Sequence, residues 1–418
     1  MIFWTLTTTI SAAIIYDRRE KRRAIAKWKH SVEHLAKEPL QDKLGLSQTR
    51  KLTIYLSAPP GDGLRVAQDH YTEYVKPILA ASGLDWEFVQ GRQEGDVRAV
   101  VAERVRKIRR GFGTNEEKDP DREPTKDELI EMYRHGRGIP DYDGVRGDVV
   151  IGRHTWKEYL RGLHEGWLGP LTAPKEPEPI TAAPTPTESS ASSTEEGAEK
   201  PAEDKPAEEK KEEEAPKPPT RPPQPKPYNT TADYPTACLD LLTPAQFTPS
   251  APIREPHILG FLNTPTRMVR FFNQRKLAND IGREVAAVCL CTYREFQLEQ
   301  NPEAESAAQQ VQYEQEKELA WEEKDWVKSV WKEDEPPKEG EPPKVATEKI
   351  LAKPVVMDPR VAARMRRFQL SPEDEDRAAS IKVPEEEVEG WTKGTLRSLW
   401  RWGAGKFNKE PKPWEGLE

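Results

Sequence analysis

The segment Pro59-Pro60-Gly61-Asp62-Gly63 lies where α/β proteins hold phosphates, between an apolar run and a helical pattern. A helix N-terminus at that place offers backbone N–H groups to an anion. The two prolines, however, remove donors, Asp62 would repel a phosphate, and no Lys-Ser/Thr pair follows. The segment therefore matches neither G-x-x-x-x-G-K-[ST] nor G-x-G-x-x-G. We interpret it as a tight structural turn.

Side chains that ligate metals or act as nucleophiles are present without a suitable spacing. His30 and His34 are four residues apart on one helical face, with no third ligand nearby. Cys289 and Cys291 form C-x-C, which on a helix points the thiols about 200° apart, so we interpret them as small core side chains. The three cysteines are too few for a disulfide scaffold. The sequence predicts no catalytic, cofactor-binding or metal-binding residue, and no enzyme.

The composition indicates that folded and disordered parts coexist in the 418 residues. Hydrophobic residues make up 35% and charged residues 33%, and the 39 prolines are about twice the usual share. The 12 Trp, 11 Tyr and 10 Phe are too many for a chain that is disordered throughout. The net charge of -8 argues against a nucleic-acid-binding protein, so no nucleic-acid partner is predicted.

Strand and helix patterns alternate over residues 51–170. Strands are predicted at 51–57, 84–90 and 148–152, and helices at 64–81, 96–110 and 156–167, with a kink at Pro77. This order predicts an α/β domain with a parallel sheet and right-handed crossovers. Residues 228–300 are predicted to be the second part of that domain, with a short strand in 257–261 and a helix from 267 to 297.

Two polar regions lie between and after these parts. Residues 171–227 are rich in Pro, Ala, Glu and Lys and predict a disordered acidic linker, since they have almost nothing apolar to bury. Residues 301–418 predict a polar, partly disordered C-terminal region with short helices. Within it, 391–407 combines basic and aromatic side chains without an acid. Three interpretations of that stretch stay open: it packs on the domain, it contacts an anionic phospholipid membrane, or it binds in a groove of a partner protein.

The N-terminal segment has the charge pattern of a membrane boundary. Residues 1–16 carry no charge, whereas 17–29 hold seven Lys or Arg against two acids. The apolar run spans roughly 22 Å as a helix and a membrane span takes about 20 residues, so we predict a short, truncated membrane anchor. A targeting peptide and a buried N-terminal helix are the alternatives. A basic juxtamembrane helix is predicted over 17–50.

The predicted elements run strand, Pro/Gly turn, long helix ending in PILAASGL (77–84), strand at 86–89, Gly95, helix, and strand ending in glycine. This order resembles the N-terminal domain of the diacylglycerol-kinase superfamily. That superfamily carries G-G-D-G-T and G-T-G-N-D loops, where this chain reads VIGRHT (150–155) and LNTPT (262–266). The resemblance implies a degenerate kinase scaffold without the glycine loops that would hold ATP.

Six longer strings carry a second resemblance: YDRREK (16–21), LAKEPL (35–40), YLSAPPGDGLR (55–65), YVKPIL (74–79), ASGLDWEF (81–88) and NTPTRMVRFF (263–272). They are similar to the fungal fifty-four-kilodalton subunit of the mitochondrial inner-membrane carrier translocase. The resemblance covers residues 2–170 and 228–300. It implies a single-pass inner-membrane protein with its bulk in the intermembrane space. There it would dock the small Tim chaperone complex to the channel-forming subunit, support insertion of polytopic carriers and assist assembly of an inner-membrane AAA protease.

Two features depart from that family pattern. Family members usually carry a matrix-facing segment before the anchor, whereas this chain starts within the anchor. By the positive-inside rule the basic charge after residue 16 would face the matrix, which is opposite to the topology of the family. The family has no assigned catalytic residues, so none is carried over. The alternative function is a membrane-attached lipid-binding module derived from a lipid kinase, in which Arg153, His154 and Arg267 would affect lipid binding.

Overall fold

One mixed sheet of six strands organises the fold. The computed structural model describes residues 2–38, 50–112, 126–138, 142, 144–173, 224–300, 311–331, 348–389, 394–395 and 397–400. Met1–Leu171 and Gln224–Glu418 form one compact unit that holds every element named below, and Thr172–Pro223 form a second unit, described only at 172 and 173. Most of the predicted linker 171–227 and of the stretch 391–407 therefore lies outside the described residues.

The strands are β1 (Lys51–Ser57), β2 (Asp85–Gly91), β3 (Gly147–Ile151), β4 (Ser250–Ile253), β5 (Tyr293–Glu295), β6 (Leu298–Gln300), β7 (Val311–Tyr313) and β8 (Arg366–Phe368). The large sheet has the order β2-β1-β3-β4-β8-β5, and β6 pairs with β7 in a separate hairpin. The α/β class is confirmed. The parallel arrangement predicted for the strands of residues 51–170 is confirmed for β1, β2 and β3, whereas the whole sheet is mixed, because β5 pairs with β8 in the antiparallel direction.

The α-helices are α1 (Ile2–Val32), α2 (Leu64–His70), α3 (Lys76–Ser82), α4 (Asp96–Phe112), α5 (Lys126–Gly136), α6 (Arg153–Leu168), α7 (Thr264–Phe271), α8 (Gln274–Leu290), α9 (Glu314–Lys317), α10 (Ala320–Glu323), α11 (Pro359–Ala362), α12 (Pro372–Ser380) and α13 (Glu385–Val388). α1, α2, α3 and α8 share an apolar core with one face of the sheet, and α4 and α6 with the other. Leu52, Ile54 and Leu56 of β1 belong to the first core and Tyr55 to the second, as the alternation of a strand requires.

The predicted helix over 64–81 forms as three consecutive segments. α2 is followed by a π-helical turn over Tyr71–Val75, and α3 then continues to Ser82. Pro77 has no N–H to donate, and its ring clashes with the carbonyl one turn earlier in a regular α-helix. The wider π-helical turn accommodates the proline. Gly83 ends the helix in the left-handed conformation, with a φ of 70°.

Residues after 300 belong to the same domain as the first strands. β8 pairs with β4 through Ser250 and Arg367. Leu319, Val361 and Met365 are buried in the apolar core that α6 shares with the sheet. The predicted boundary at residue 300 does not match this packing. Each apolar segment of the region is only a few residues long, so its periodicity is too short to predict a core.

Two local predictions in the second part of the domain are wrong. The strand lies at 250–253 rather than at 257–261, where Gly260 has a φ of 100° that no strand tolerates. The helix expected from 267 to 297 divides into α7 and α8, because Asn273 between them has a non-helical backbone, with φ -126° and ψ 25°.

Candidate functional site

The carboxyl edge of the parallel strands is the expected place for a ligand in this sheet. The strand order reverses between β1 and β3, and α/β proteins bind ligands in the crevice at such a point. Two loops meet there. The segment 59–63 follows β1, and Gly152, with a φ of 89°, joins β3 to α6. A phosphate-binding member of this fold class would hold its anion at the start of α6.

A carboxylate of the chain itself fills this anion position. Glu322 of α10 accepts hydrogen bonds from the backbone N–H groups of Arg153 and Glu255, at 3.1 Å each. Because Arg153 is the first residue of α6, the carboxylate lies at a helix N-terminus, which stabilises negative charge. Burial raises the pKa of Glu322, and the charge of Arg153 with the two N–H groups opposes that rise. The place where an anion would bind at this edge is therefore occupied by a side chain of the same protein.

Arg153 and His154 hold this closed edge together. The Arg153 guanidinium donates to a backbone carbonyl of β4 at 2.8 Å and to Glu318 at 2.7 Å. His154 Nε2 lies 3.0 Å from the Ser57 carbonyl oxygen, and burial lowers the pKa of this histidine to about 4. Both side chains are buried, whereas Arg267 on α7 is exposed. The three residues of the lipid-binding hypothesis are therefore not presented together to one ligand.

The segment 59–63 is a turn closed by local hydrogen bonds. The Asp62 N–H donates to the Pro59 carbonyl at 3.1 Å, and the Asp62 carboxylate accepts from the Gly63 N–H at 2.8 Å. Gly61 has a φ of 84°, and a Cβ at this position would lie 3.2 Å from Leu259. Any larger residue would therefore be strained in its backbone and crowded in space. These contacts agree with the predicted tight turn.

A second internal carboxylate closes the N-terminus of α4. Glu158 of α6 is buried and accepts from the Val97 N–H at 3.1 Å and from the Ser57 hydroxyl at 3.2 Å. Burial, with a smaller contribution from Glu94, raises the pKa of Glu158 to about 8. At neutral pH this carboxyl group is therefore largely protonated in the folded protein.

The substitution Glu158→Gln is expected to change how stability depends on pH. The folded wild type holds a proton on Glu158 between its unfolded pKa near 4.5 and its folded pKa of about 8, so this residue's contribution to stability falls as pH rises through that window. Relative to the variant, the wild type should lose up to about 1.4 kcal/mol per pH unit. Urea unfolding of both proteins at pH 5 and pH 8 measures this. If the difference in unfolding free energy between the wild type and the variant is the same at pH 5 and at pH 8, the raised pKa of Glu158 is contradicted.

α1 is docked through its C-terminal half. Asp17 accepts hydrogen bonds from the backbone N–H groups of Gln274 and Arg275, at 3.2 Å and 3.4 Å, at the start of α8. Further along, the Trp28 indole N–H donates to Asn279 at 3.1 Å. α1 and α8 therefore lie side by side and point in the same direction. Asp17 is the third internal carboxylate placed at a helix N-terminus.

The other half of α1 and the segment before α8 expose large apolar side chains, and we call these two segments, 3–16 and 261–271, the apolar end. Its exposed members are Phe3, Trp4, Leu6, Ile10, Ile15, Tyr16, Phe261, Leu262, Met268, Val269 and Phe271. Asp17, the residue after the first segment, binds the start of α8, just after the second segment ends. Within the described part of the chain, no helix combines the length and the apolar character needed to cross a membrane.

Comparison with known proteins matches most of the chain. Residues 1–368 match the model of a family described as inner membrane protein import complex subunit Tim54. The chain belongs to the Tim54 family. Mitochondrial import inner membrane translocase subunit tim54 of Neurospora crassa is 72% identical over 411 residues, which cover 98% of this chain and 85% of that protein. The Aspergillus oryzae protein of the same name is 44% identical over 418 residues, with 96% and 90% covered.

Membership in the Tim54 family confirms the resemblance carried by the six strings of the sequence. It supports the predicted role of a translocase subunit and a location at the mitochondrial inner membrane. The resemblance to the diacylglycerol-kinase superfamily stays a prediction. The closed carboxyl edge and the apolar end are thus features of a Tim54-family domain.

The remaining candidate side chains of this Tim54-family chain take part in packing and surface contacts. His30 Nδ1 lies 2.9 Å from Glu33, and its Nε2 lies 3.1 Å from Glu387. Cys289 is buried, and burial raises the pKa of its thiol to about 11, whereas Cys291 ends α8 with a φ of 59°. Among the residues that the structure describes, no three His, Cys, Asp or Glu side chains are grouped to hold a metal ion.

Sequence reasoning does not find the three carboxylates that close helix N-termini in this Tim54-family domain. Asp17, Glu158 and Glu322 are three of 72 acidic residues, and nothing in their neighbours distinguishes them. Their backbone partners lie 257, 61 and 169 residues away in sequence. A local pattern such as a capping box cannot report a contact over that separation.

Proposed function

We propose that this chain is a non-catalytic scaffold subunit of the mitochondrial inner-membrane carrier translocase. It docks the small Tim chaperone complex to the channel-forming subunit and supports the insertion of polytopic carrier proteins. It also assists assembly of an inner-membrane AAA protease. The N-terminal half of α1 attaches it to the inner membrane, and its bulk lies in the intermembrane space.

The closed carboxyl edge is the observation that carries the proposal. In an α/β enzyme this edge holds the substrate or the cofactor. Here Glu322 occupies the anion position at α6, while Arg153 and His154 are buried and bound to groups of the same chain. Arg153, His154 and Glu322 at this edge are used to hold the fold, which supports a role based on surfaces.

The apolar end supports attachment to the membrane and to its translocase. Leu262 and Phe261 are 91% and 89% exposed, and Trp4 is 72% exposed. Clusters of large apolar side chains in water mark interaction surfaces. Because Asp17 ties the end of the free half of α1 to the start of α8, which directly follows α7, one membrane-embedded partner could contact both segments at once.

Substituting Phe261 and Leu262 together by serine is expected to weaken capture of the channel-forming subunit. Full-length tagged protein would be isolated from detergent-solubilised mitochondria, and the recovered channel-forming subunit and small Tim chaperones would be quantified. Loss of two exposed anchors should reduce recovery of the channel-forming subunit about tenfold. The melting temperature should not change, since both side chains are exposed.

A matched control uses Leu241 and Leu242, which are also adjacent, large and exposed but lie in the loop before β4. Their replacement by serine should leave recovery of both partners unchanged. Equal recovery with the two double variants would contradict a partner-binding role for the apolar end. Loss of every partner with both variants would point instead to general misfolding.

A further inference from the structure

Residues 394–400 form a second place where large apolar side chains lie in water, and we call them the Leu-Trp segment. The residues described in this range are helical. Leu399 and Trp400 are 62% and 75% exposed, so Trp400 is about as exposed as Trp4 of the apolar end. Side chains that packed on the domain would be covered. The structure therefore does not support packing on the domain for this part of the aromatic stretch 391–407.

An ion pair holds the Leu-Trp segment on α13. Arg397 donates to the Glu389 carboxylate at 2.6 Å and lies 3.7 Å from Glu386. The Glu389 side chain is almost fully buried, so the pair is shielded from water on one side. Because Arg397 precedes Leu399 by two residues, this pair sets where the exposed side chains lie. The charge of Arg397 is used for positioning, and it is not free to attract an anion.

α13 in turn lies on α1, shortly after the exposed half of that helix. Arg22 donates to the Glu389 carbonyl at 3.2 Å. Arg23 donates to the Glu385 carboxylate at 2.9 Å. Arg22 follows Tyr16 by six residues, about 9 Å along the helix. A headgroup layer is roughly 5 to 8 Å thick, so α13 joins the Leu-Trp segment to α1 close to the level where a membrane entered by residues 3–16 would end.

The chemistry of the segment fits a lipid surface better than a groove in a partner protein. Tryptophan is enriched where membranes meet water, because its ring is apolar and its N–H is polar. Residues 391–407 contain three tryptophans and no acid. Recognition of a helix in a groove uses apolar anchors three, four and seven residues apart. Leu399 and Trp400 are adjacent, so they do not follow that spacing.

We propose that the Leu-Trp segment inserts Leu399 and Trp400 into the headgroup region of the membrane that the apolar end contacts. The inference rests on the proposed attachment of the N-terminal half of α1 to that membrane. The neighbouring arginines are already paired, so the contact depends on apolar side chains and needs no anionic lipid. A single attached helix leaves the domain free to rotate about the helix axis, whereas two contacts joined through α13 fix how the domain stands on the membrane.

The first test places a fluorescent reporter at three positions of the full chain. Cys238→Ser removes the exposed thiol, and Trp4→Cys, Leu399→Cys or Leu241→Cys then supplies one accessible cysteine for a nitrobenzoxadiazole label. Phosphatidylcholine vesicles should shift the emission to shorter wavelength at positions 4 and 399, because both labels enter an apolar environment. Position 241 is the matched control and should not respond. Cys238→Ser alone gives the background labelling of the other cysteines.

The second test compares flotation of two double variants with the same vesicles. Leu399→Ser with Trp400→Ser should bind about tenfold more weakly than the wild type, since two side chains no longer leave water. Leu241→Ser with Leu242→Ser removes two other adjacent exposed side chains and should bind as the wild type does. The melting temperature should be unchanged in both variants. A lower melting temperature of the Leu399 and Trp400 variant alone would show packing on the domain and would overturn the proposal.

The reporters separate this proposal from its foundation. A shift at position 4 without one at position 399 overturns the membrane contact of the Leu-Trp segment and leaves the attachment of α1 intact. No shift at either position contradicts both. If the Leu399 and Trp400 variant floats as the wild type does but recovers less channel-forming subunit from detergent-solubilised mitochondria, the segment binds a protein and the membrane assignment is overturned.

Discussion

Replacing Gly282 with leucine is expected to release α1 from the domain and to lower the free energy of unfolding by about 3 kcal/mol. Gly282 lies on α8 at the contact with α1, and a Cβ there would overlap the indole ring of Trp28. Trp28 is only 2% exposed and cannot move aside without leaving the core. A leucine side chain and the indole ring cannot both occupy this space, so the two helices must separate.

Trypsin digestion with thermal unfolding measures the effect of Gly282→Leu. The basic run of α1 should be cut rapidly in the variant, while Lys27 of the wild type, held by Asn279, should be cut slowly. Gly111→Leu is the matched control, because Gly111 is also helical and has open space around its Cβ position. If trypsin cuts α1 as slowly in the Gly282→Leu variant as in the wild type, the packing of α1 against α8 is not tight.

The substitution Glu165→Ala is expected to destabilise the domain by about 3 to 5 kcal/mol, because it removes the buried carboxylate that two buried cations share. Glu165 of α6 forms ion pairs with Arg98 and Arg106 of α4, and all three side chains are almost fully buried. Its carboxylate also accepts from the Tyr228 N–H at 3.1 Å, which ties the segment after residue 223 to the domain. Urea unfolding at neutral pH gives the loss.

Two control proteins distinguish burial of charge from loss of packing at Glu165. Glu375→Ala removes an acid that pairs with Arg283 while both side chains are about half exposed, so it should cost less than about 1 kcal/mol. Replacing Arg98, Arg106 and Glu165 together by apolar residues of similar size should restore much of the stability lost with Glu165→Ala. If the triple variant is the least stable protein, the ion pairs stabilise the fold by more than their desolvation costs.

The first strands and helices could be predicted because their signals are local. The run at 51–57 is apolar enough to be recognised as a buried strand, and β1 occupies that range. In α4, Val97, Val101 and Val105 recur at helical spacing and are buried against α6. Such elements carry their burial pattern within ten to twenty residues.

The helix α6 could be predicted in this way, but its complete burial and the strand β8 could not be. The polar pattern of α6 is typical of a helix with a solvated face, yet Arg161, His164 and Glu165 are all buried, because segments more than 60 residues away cover that face. β8 has the sequence RRF, and nothing local predicts a strand there. Its conformation depends on pairing with β4 and β5. The closed site could not be predicted for the same reason, since Glu322 contacts the start of α6 from 169 residues away in the sequence.

Because β8 and Glu322 lie late in the sequence, the domain cannot complete its sheet and the start of α6 until that part of the chain is present. A chain that ends before residue 318 leaves the start of α6 without its carboxylate, and leaves Arg153, Lys157 and Arg161 without the acids that neutralise them. The earlier strands of such a fragment can pair, but the buried charges of α6 make the product a good substrate for quality-control proteolysis. While the polypeptide is delivered from its N-terminus, α6 likewise lacks its late partners until the last hundred residues arrive. The buried charges of α6 are therefore paired only once the late residues of the chain are in place.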